Sequence, residues 1–446
     1  MHNKKFTILV FTGLLLVASF FLFKWIDNRN INSQKTDKPV SSPATSPVSS
    51  SVLSSSEEES QKLANEGAKL QEQGELGKAL ECFNQAIKLT PDKSYLYTAR
   101  GLLHYQMKTY HLALEDHDKA VKLEPNSAMN YLNRGDAYLV MAKHDLAMKD
   151  YKKTIKLDPT RHGAWYHMGM IKIMRKQYKE ALKDTEKAIS LLPKNDEGYQ
   201  FNKAFILYKL EKYDEALKAM DEVLQIAPDF DAAYRQMGDI YVETGENKKA
   251  INCYDKAIAL FDSNIDKSNR REMNLYQKDI DKGTIYLNRA VAKSNINNYK
   301  EVVEDCQNAV KLGMEEPAVY QEMAMARYEI GDYQQASADA KKCLQLIDYK
   351  KPGFKKYIMT YTACIADRQY NKALEYNTKA IEAITEDDPD HRELIIAYYE
   401  RARIYYNLGK YSEAWDSLQP VIKNKREANI NNKASDLAKL IKSRMK

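Results

Sequence analysis

The chain has 446 residues, of which 44% are hydrophobic and 29% are charged, so its composition is that of a folded protein. Its 31 Tyr against 16 Gly and 12 Pro argue against a glycine-rich nucleotide-binding sheet and favour helices packed with aromatic side chains. The net charge of +6 is concentrated in residues 423–446, which hold eight Lys or Arg and two Asp or Glu. The rest of the chain therefore offers no general basic surface for nucleic acid.

An uncharged apolar run, FTILVFTGLLLVASFFLF, occupies residues 6–23. As a helix rising ~1.5 Å per residue it spans about 27 Å, close to the hydrocarbon thickness of a bilayer. Lys24 and Trp25 at its far end suit an amine and a ring at the membrane interface. We expect residues 1–26 to be a transmembrane anchor, or alternatively a cleaved signal peptide, because Val17, Ala18 and Ser19 are small enough for processing.

The orientation of this anchor is not fixed by its flanking charges, because lysines precede it and follow it. The short basic N-terminal tail is typical of a signal anchor, which predicts a single-pass membrane protein with its bulk outside the cytoplasm, in a prokaryotic cell envelope. The next segment, residues 27–59, contains PVSSPATSPVSSSVLSSS, which has no charge and few apolar side chains. It is therefore expected to be a flexible linker.

Three series of residues recur at a spacing of 34 or 35 from Ser60 onward. A small residue inside the second of two predicted helices recurs at Ala79, Ala113, Ala147, Ala181, Ala216 and Ala250. Twelve residues before each lies a second small residue, at Gly67, Gly101, Gly135, Gly169, Ala204 and Gly238. Twelve residues after the first five comes Pro91, Pro125, Pro159, Pro193 or Pro228. The pattern predicts two helices that cross closely at the small residues, the second ending near the Pro.

This unit closely resembles the tetratricopeptide repeat (TPR), a helix–turn–helix of 34 residues. The clearest instance is SAMNYLNRGDAYLVMAKHDLAMKDYKKTIKLDP, with Tyr131, Gly135, Ala147, Tyr151 and Pro159. The resemblance implies an all-α, right-handed superhelical solenoid with a concave groove that binds peptides or protein domains. Its partners would be proteins or peptides, with no cofactor, no small-molecule substrate and no nucleic acid.

The pattern weakens in the second half, where Val302 replaces the expected Ala after an interval of 52 residues. Ala336, Ala373 and Ala414 then continue the series at longer and less regular intervals. We expect about ten repeats in all. The predicted segments are six regular repeats over 60–261, an insertion or connector over 262–282, four degenerate repeats over 283–422 and a basic capping helix over 423–446.

No catalytic apparatus is visible in the sequence. His104, His111 and His117 are seven and six residues apart, which does not match the i, i+4 spacing of a helical zinc site. There is no phosphate-binding GxxxxGK[ST] motif, no GxSxG motif and no dinucleotide-binding fingerprint. Five separate cysteines, without a CxxC pair, indicate packed free thiols. The sequence thus predicts neither an enzyme nor a metal or cofactor site, and an enzyme on a helical scaffold is the least favoured alternative.

In tetratricopeptide proteins the first helix of each repeat lines the groove, so its inward stripe holds the candidate partner-binding residues. Helical spacing places the candidates in repeats two to five at Tyr95, Tyr105, Leu132, Leu139, Tyr166, Met170, Ile173, Phe201, Phe205 and Tyr208. This stripe is apolar and aromatic, whereas Arg235, Asp239 and Glu243 make repeat six polar. It predicts a groove for an apolar or amphipathic partner segment. The alternative is that several of these aromatic residues only pack neighbouring helices together.

The sequence thus favours a membrane-tethered scaffold that binds protein or peptide partners. The other interpretation within the family is a cytosol-facing receptor or cochaperone of the organelle-import type. Such proteins, including the mitochondrial import receptor, hold the acidic tail of a chaperone with Lys, Arg and Asn side chains from three repeats. Asn133 and Asn288 match the middle Asn of that arrangement. The flanking positions do not match, because Thr98 and Leu102 precede Asn133 where Lys and Asn would be needed.

Overall fold

The computed structural model describes twenty bounded helices, arranged mainly as antiparallel hairpins. It describes residues 55–267, 275–346, 360, 362, 364–365, 367–387, 391–423 and 428–445. Every regular element in these ranges is a helix, with no strand, which confirms the predicted all-helical repeat array. The residues divide into two compact units, an N-terminal unit that ends at Pro228 and a C-terminal unit that begins at Asp229.

The N-terminal unit contains five consecutive helical hairpins, each made of neighbouring helices that pack antiparallel. Its helices are α1 (Ser55–Glu72), α2 (Leu76–Leu89), α3 (Ser94–Gln106), α4 (Tyr110–Leu123), α5 (Ala128–Val140), α6 (His144–Leu157), α7 (His162–Met174), α8 (Tyr178–Ser190), α9 (Glu197–Lys209) and α10 (Tyr213–Ile226).

The C-terminal unit continues with four helical hairpins among the described residues, and two further helices, the seventh and the tenth, lack a complete described partner. Its helices are α11 (Asp231–Glu243), α12 (Asn247–Lys267), α13 (Leu275–Asn295), α14 (Tyr299–Lys311), α15 (Pro317–Glu329), α16 (Tyr333–Leu346), α17 (Tyr370–Asp387), α18 (His391–Asn407), α19 (Tyr411–Lys423) and α20 (Ala428–Met445). Helices α12 and α13 have 21 residues each and extend from both sides into the predicted insertion at 262–282. The boundaries that the sequence gives for the regular repeats, the insertion, the degenerate repeats and the capping helix stay predictions.

The predicted membrane anchor at 6–23 and most of the linker lie outside the described residues. Within the described ranges no helix is long and apolar enough to cross a membrane. The long helix α12 illustrates the reason, because charged residues such as Lys248, Asp255 and Lys256 recur along it. The expectation of a single-pass membrane location, with the repeats outside the cytoplasm, is wrong by this finding.

The small residues of the repeat lie where the two helices of a hairpin cross. Ala147 on α6 is fully buried, and so are its counterparts Ala113 and Ala181. A Cβ added to Gly135 on α5 would lie only 2.7 Å from the ring of Tyr151 on α6. The absence of a side chain at Gly135 therefore lets the Tyr151 ring pack directly on the backbone of α5.

The turn inside each hairpin ends the first helix with a residue in the left-handed conformation. In the third hairpin this residue is Ala142, with φ of 57°, and its neighbour Lys143 donates its backbone N–H to the carbonyl of Tyr138. The same conformation occurs at Gly74, Lys108, Lys176, Glu211, Gly245, Asn297, Gly331, Arg368 and Gly409. This bonding satisfies carbonyls that a helix end would leave unpaired.

A recurring arginine joins each of three repeats to the repeat before it. Arg134 on α5 donates through Nε and Nη2 to both oxygens of Asp150, at 2.7 and 2.8 Å, and through Nη1 to Asp118 at 2.9 Å. Arg289 makes the equivalent contacts to Asp305 and Asp255. In each case the Asp that accepts from both Nε and Nη2 lies sixteen residues after the Arg, on the second helix of the same hairpin. Arg100 repeats the pattern with Asp116, but its contact in the preceding repeat is to Asn84.

Candidate protein-binding face

The candidate residues lie on α3, α5, α7 and α9, the first helices of the second to fifth hairpins. Six of the ten are buried, namely Tyr105, Leu139, Tyr166, Met170, Ile173 and Tyr208. Three are half-buried, namely Leu132, Phe201 and Phe205. Tyr95 is 43% exposed. The structure thus brings the candidates onto successive first helices but leaves only four with substantial accessible surface.

Tyr166 is buried because the next hairpin covers it. Its ring centroid lies 4.1 Å from that of Tyr199 on α9, and its hydroxyl accepts a hydrogen bond of 2.8 Å from Nδ2 of Asn202 on the same helix. Only 2% of Tyr166 is exposed, and Met170 belongs to the same core cluster. These two side chains therefore pack α7 against its neighbouring helices. This is the alternative role that the sequence left open for part of the stripe.

Phe201 and Phe205 keep part of their surface exposed. They lie four residues apart on α9, and helical geometry places such pairs on one face. Lys209, one turn further on, holds its Nζ 5.2 Å from the ring centroid of Phe205 and 4.9 Å from that of Tyr208. This end of the face therefore combines accessible aromatic surface with a positive charge.

Three further apolar residues share this face but were not among the sequence candidates. Met129 on α5 is 37% exposed, and Leu102 and Met174 are half-buried. Met129 lies 34 residues after Tyr95 and so occupies the same position of the repeat. Extending the repeat register from Tyr95 would have found it.

Buried polar side chains lie between these first helices. Asp136 on α5 accepts a hydrogen bond of 2.8 Å from the hydroxyl of Tyr151, and Nε2 of His167 on α7 lies 3.5 Å from the same oxygen. The ring of His167 stacks on that of Tyr151 at 5.4 Å. Burial lowers the pKa of His167, although Asp136 opposes this effect, and burial raises the pKa of Tyr151. This network is enclosed, so it positions helices and offers no exposed acid or base.

The matching face of α11, in the C-terminal unit, is polar as the sequence indicated. Asp239 there is buried, and it accepts hydrogen bonds from the hydroxyl of Tyr254 at 2.7 Å and from Nδ2 of Asn288 at 3.0 Å. Asn288, one of the two matches to the chaperone-binding Asn, is therefore bonded within the protein. Asn133, the other match, is only 8% exposed.

Family models identify the repeats directly. Models described as tetratricopeptide repeats match residues 67–108, 130–161, 162–195 and 198–263. A further model, described as anaphase-promoting complex subunit 5, matches residues 357–437.

Curated proteins and solved structures give shorter or more distant similarities. The mitochondrial import receptor subunit TOM70 of Homo sapiens and that of Mus musculus are each 34% identical over 80 residues, which is 18% of this chain and 11% of theirs. The structure of YrrB, described as a TPR protein with an unusual peptide-binding site, has 25% identity and a TM-score of 0.36, covering 41% of this chain and 93% of YrrB. A tetratricopeptide repeat protein from Parabacteroides merdae has 17% identity and a TM-score of 0.43, covering 60% of this chain and 99% of that one. From the family models, the repeats between residues 67 and 263 belong to the tetratricopeptide repeat family.

Proposed function

We propose that the chain is a protein-interaction scaffold and that its N-terminal unit binds an apolar or amphipathic segment of a partner protein. The proposed contact surface, here called the docking strip, consists of Tyr95, Met129, Leu132, Phe201 and Phe205. Tetratricopeptide repeats bind protein or peptide partners, which supports the general function. The choice of this surface rests on one observation, the partial exposure of apolar side chains on three of the four first helices, α3, α5 and α9.

The chemistry of the strip favours apolar contact over ion pairing. Burying one aromatic side chain contributes roughly 1.5–3 kcal/mol, whereas an exposed ion pair contributes about 0–1 kcal/mol. The strip residues are uncharged, and Lys209 next to Phe205 is a cation that a partner's carboxylate could approach. A partner helix or extended peptide with spaced apolar residues and an acidic flank would fit these features.

Photocrosslinking tests the location of the strip. A benzoylphenylalanine would replace Phe205 in one variant and Leu146 in another, and each protein would be exposed to peptides selected from a displayed random library. Leu146 is a suitable control because it is 45% exposed but lies on α6, a second helix. Crosslinks at 205 and none at 146 would support the proposal. Equal crosslinking at both positions would reject the strip.

A receptor for precursor proteins is the second candidate, favoured by the similarity to TOM70 over 80 residues. The match spans 11% of that receptor's length, so the comparison concerns a small part of it. Binding of peptides from mitochondrial precursor proteins, measured beside scrambled peptides of the same composition, tests this candidate. Equal affinity for both sets would reject it and leave the scaffold function standing.

A further inference from the structure

Side chains from distant hairpins meet in one cluster inside the C-terminal unit. In a linear repeat array each repeat contacts only its neighbours. Here Arg403 on α18 contacts Glu329 on α15, 74 residues earlier, and Lys433 on α20 contacts Tyr299 on α14, 134 residues earlier. These contacts connect parts of the unit that the repeat pattern alone would keep apart.

The cluster is centred on the carboxylate of Glu329. Arg403 donates through Nη1 to Oε1 of Glu329 at 3.3 Å and to Oε1 of Glu400 at 2.9 Å. Nζ of Lys433 lies 3.7 Å from the same oxygen of Glu329 and donates to the hydroxyl of Tyr299 at 2.6 Å. Two cations from two helices therefore converge on one anion from a third.

Aromatic rings surround both cations. The guanidinium of Arg403 lies 4.7 Å from the ring centroid of Tyr328 and 5.7 Å from that of Tyr399. The amine of Lys433 lies 5.2 Å from the ring centroid of Tyr299. The side chains of Arg403 and Glu329 are 21% and 25% exposed, so water screens their attraction only partly.

The repeat register relates this cluster to the docking strip. Arg403 lies eleven residues before Ala414, as Phe205 lies eleven residues before Ala216. Glu329 lies seven residues before Ala336, as Lys209 lies seven residues before Ala216. The C-terminal unit thus uses, for contact with itself, two repeat positions that in the N-terminal unit lie on the proposed binding face.

Helix α20 is also held by apolar contacts. Ala434, Leu437 and Ile441 are buried in a core cluster with Leu418 and Val421 of α19. Leu440 on the same helix is 52% exposed.

We propose that Tyr299, Glu329, Arg403 and Lys433 form a latch that holds α18 and α20 against α14 and α15. The latch closes the face of the C-terminal unit that corresponds to the docking strip. High salt favours the open state because it screens the ion pairs. The latch is independent of binding by the N-terminal unit.

Hydrogen exchange of the full chain tests the latch through Lys433→Ala and Glu329→Gln. Lys439→Ala is the matched control, because Lys439 is also on α20 but its side chain is 75% exposed, and its one ion pair among the described residues is with Asp436 on the same helix. Amides of α20 should exchange up to about fivefold faster in Lys433→Ala and Glu329→Gln than in the wild type, as expected for loss of a partly exposed ion pair. Lys439→Ala should exchange like the wild type.

The Glu329→Gln variant separates a latch from a local effect. Glu329 lies on α15, so a purely local role would change exchange in α15 alone. The latch requires faster exchange in α18 and α20 as well, and the same change in the wild type at 1 M salt. Unchanged exchange of α20 in Glu329→Gln and in the wild type at 1 M salt would overturn the proposal, even if Lys433→Ala proved poorly folded.

Discussion

Arg134 and Asp150 form a two-point ion pair between the helices of one hairpin, with Nε and Nη2 of the arginine 2.7 and 2.8 Å from the two carboxylate oxygens. The side chain of Asp150 is 5% exposed, and that of Arg134 is 18% exposed. Because Asp118 in the preceding repeat binds the remaining Nη1, this arginine connects three helices. Removing one partner of a desolvated ion pair of this geometry destabilises a protein much more than removing one partner of an exposed pair.

Replacing Asp150 with Ala should therefore destabilise the protein by roughly 3 kcal/mol, because the arginine keeps its charge but loses its main partner. Urea unfolding followed by circular dichroism measures the change. The control is Asp145→Ala, which breaks the ion pair of Asp145 with Arg175, where the carboxylate is 93% exposed. That change should cost less than about 1 kcal/mol. Equal losses of unfolding free energy in the two variants would show that the buried pair contributes no more to stability than the exposed pair.

The crossing of α5 and α6 depends on Gly135. Replacing it with Ala should destabilise the protein by roughly 1–3 kcal/mol, because the new Cβ would lie 2.7 Å from the Tyr151 ring and force the helices apart. Gly163→Ala is the comparison, since a Cβ at Gly163 would meet nothing within 4 Å. Thermal unfolding of both variants distinguishes the two sites, and a stable Gly135→Ala protein would contradict the close-crossing account.

Ala142 adopts a left-handed conformation that glycine adopts at lower cost. Replacing Ala142 with Gly should stabilise the protein by about 1 kcal/mol, because the exposed methyl group makes no core contact and its steric strain is removed. The reverse change, Gly74→Ala, places a methyl group at a φ of 79° and should destabilise by a similar amount. Melting temperatures that shift in the same direction in both variants would contradict this explanation.

His117 should make stability depend on pH. Its side chain is fully buried, neither ring nitrogen has a hydrogen-bond partner among the described residues, and burial, with a smaller effect of Arg134, lowers its pKa to about 4. In the unfolded chain His117 binds a proton near pH 6.5, so the contribution of neutral His117 to the stability of the fold is complete above that pH. It is lost progressively as the pH falls toward 4, by up to roughly 3 kcal/mol.

The measurement is the free energy of unfolding in urea at pH 7, 6 and 5 for the wild type and for His117→Phe. The Phe ring suits the space beside Gly101, because Tyr151 occupies the corresponding place beside Gly135. The wild type should lose more stability than the variant between pH 7 and pH 5. Parallel pH profiles would show that His117 does not titrate during unfolding.

The hairpins were predictable because the sequence repeats the residues that define them. Small residues such as Gly135 and Ala147 mark the helix crossing in each regular repeat, and the helices then follow at a fixed spacing. The burial of side chains on the proposed binding face was not predictable in the same way. Tyr166 and Phe201 occupy the same repeat position, yet Tyr166 is covered by Tyr199 of the next hairpin and Phe201 is half-buried.

The latch could not have been found from periodicity at all. Arg403 and Glu329 are 74 residues apart in degenerate repeats, and nothing local in the sequence indicates that they meet. Such contacts depend on how successive hairpins accumulate their small rotations. The sequence therefore predicts the repeated element well, and predicts poorly those contacts that arise from stacking several elements.

The most direct test of the account uses a peptide selected from a displayed random library for binding to the wild type. Fluorescence anisotropy then measures the affinity of this peptide for the wild type and for the Phe201→Ser/Phe205→Ser double variant. The docking strip predicts at least roughly tenfold weaker binding by the variant, with a nearly unchanged melting temperature, because two aromatic contacts of roughly 1.5–3 kcal/mol each are removed from partly exposed positions. A Leu146→Ser variant should bind like the wild type. Unchanged affinity together with a large fall in melting temperature would contradict the account, since it would show that both phenylalanines are part of the core.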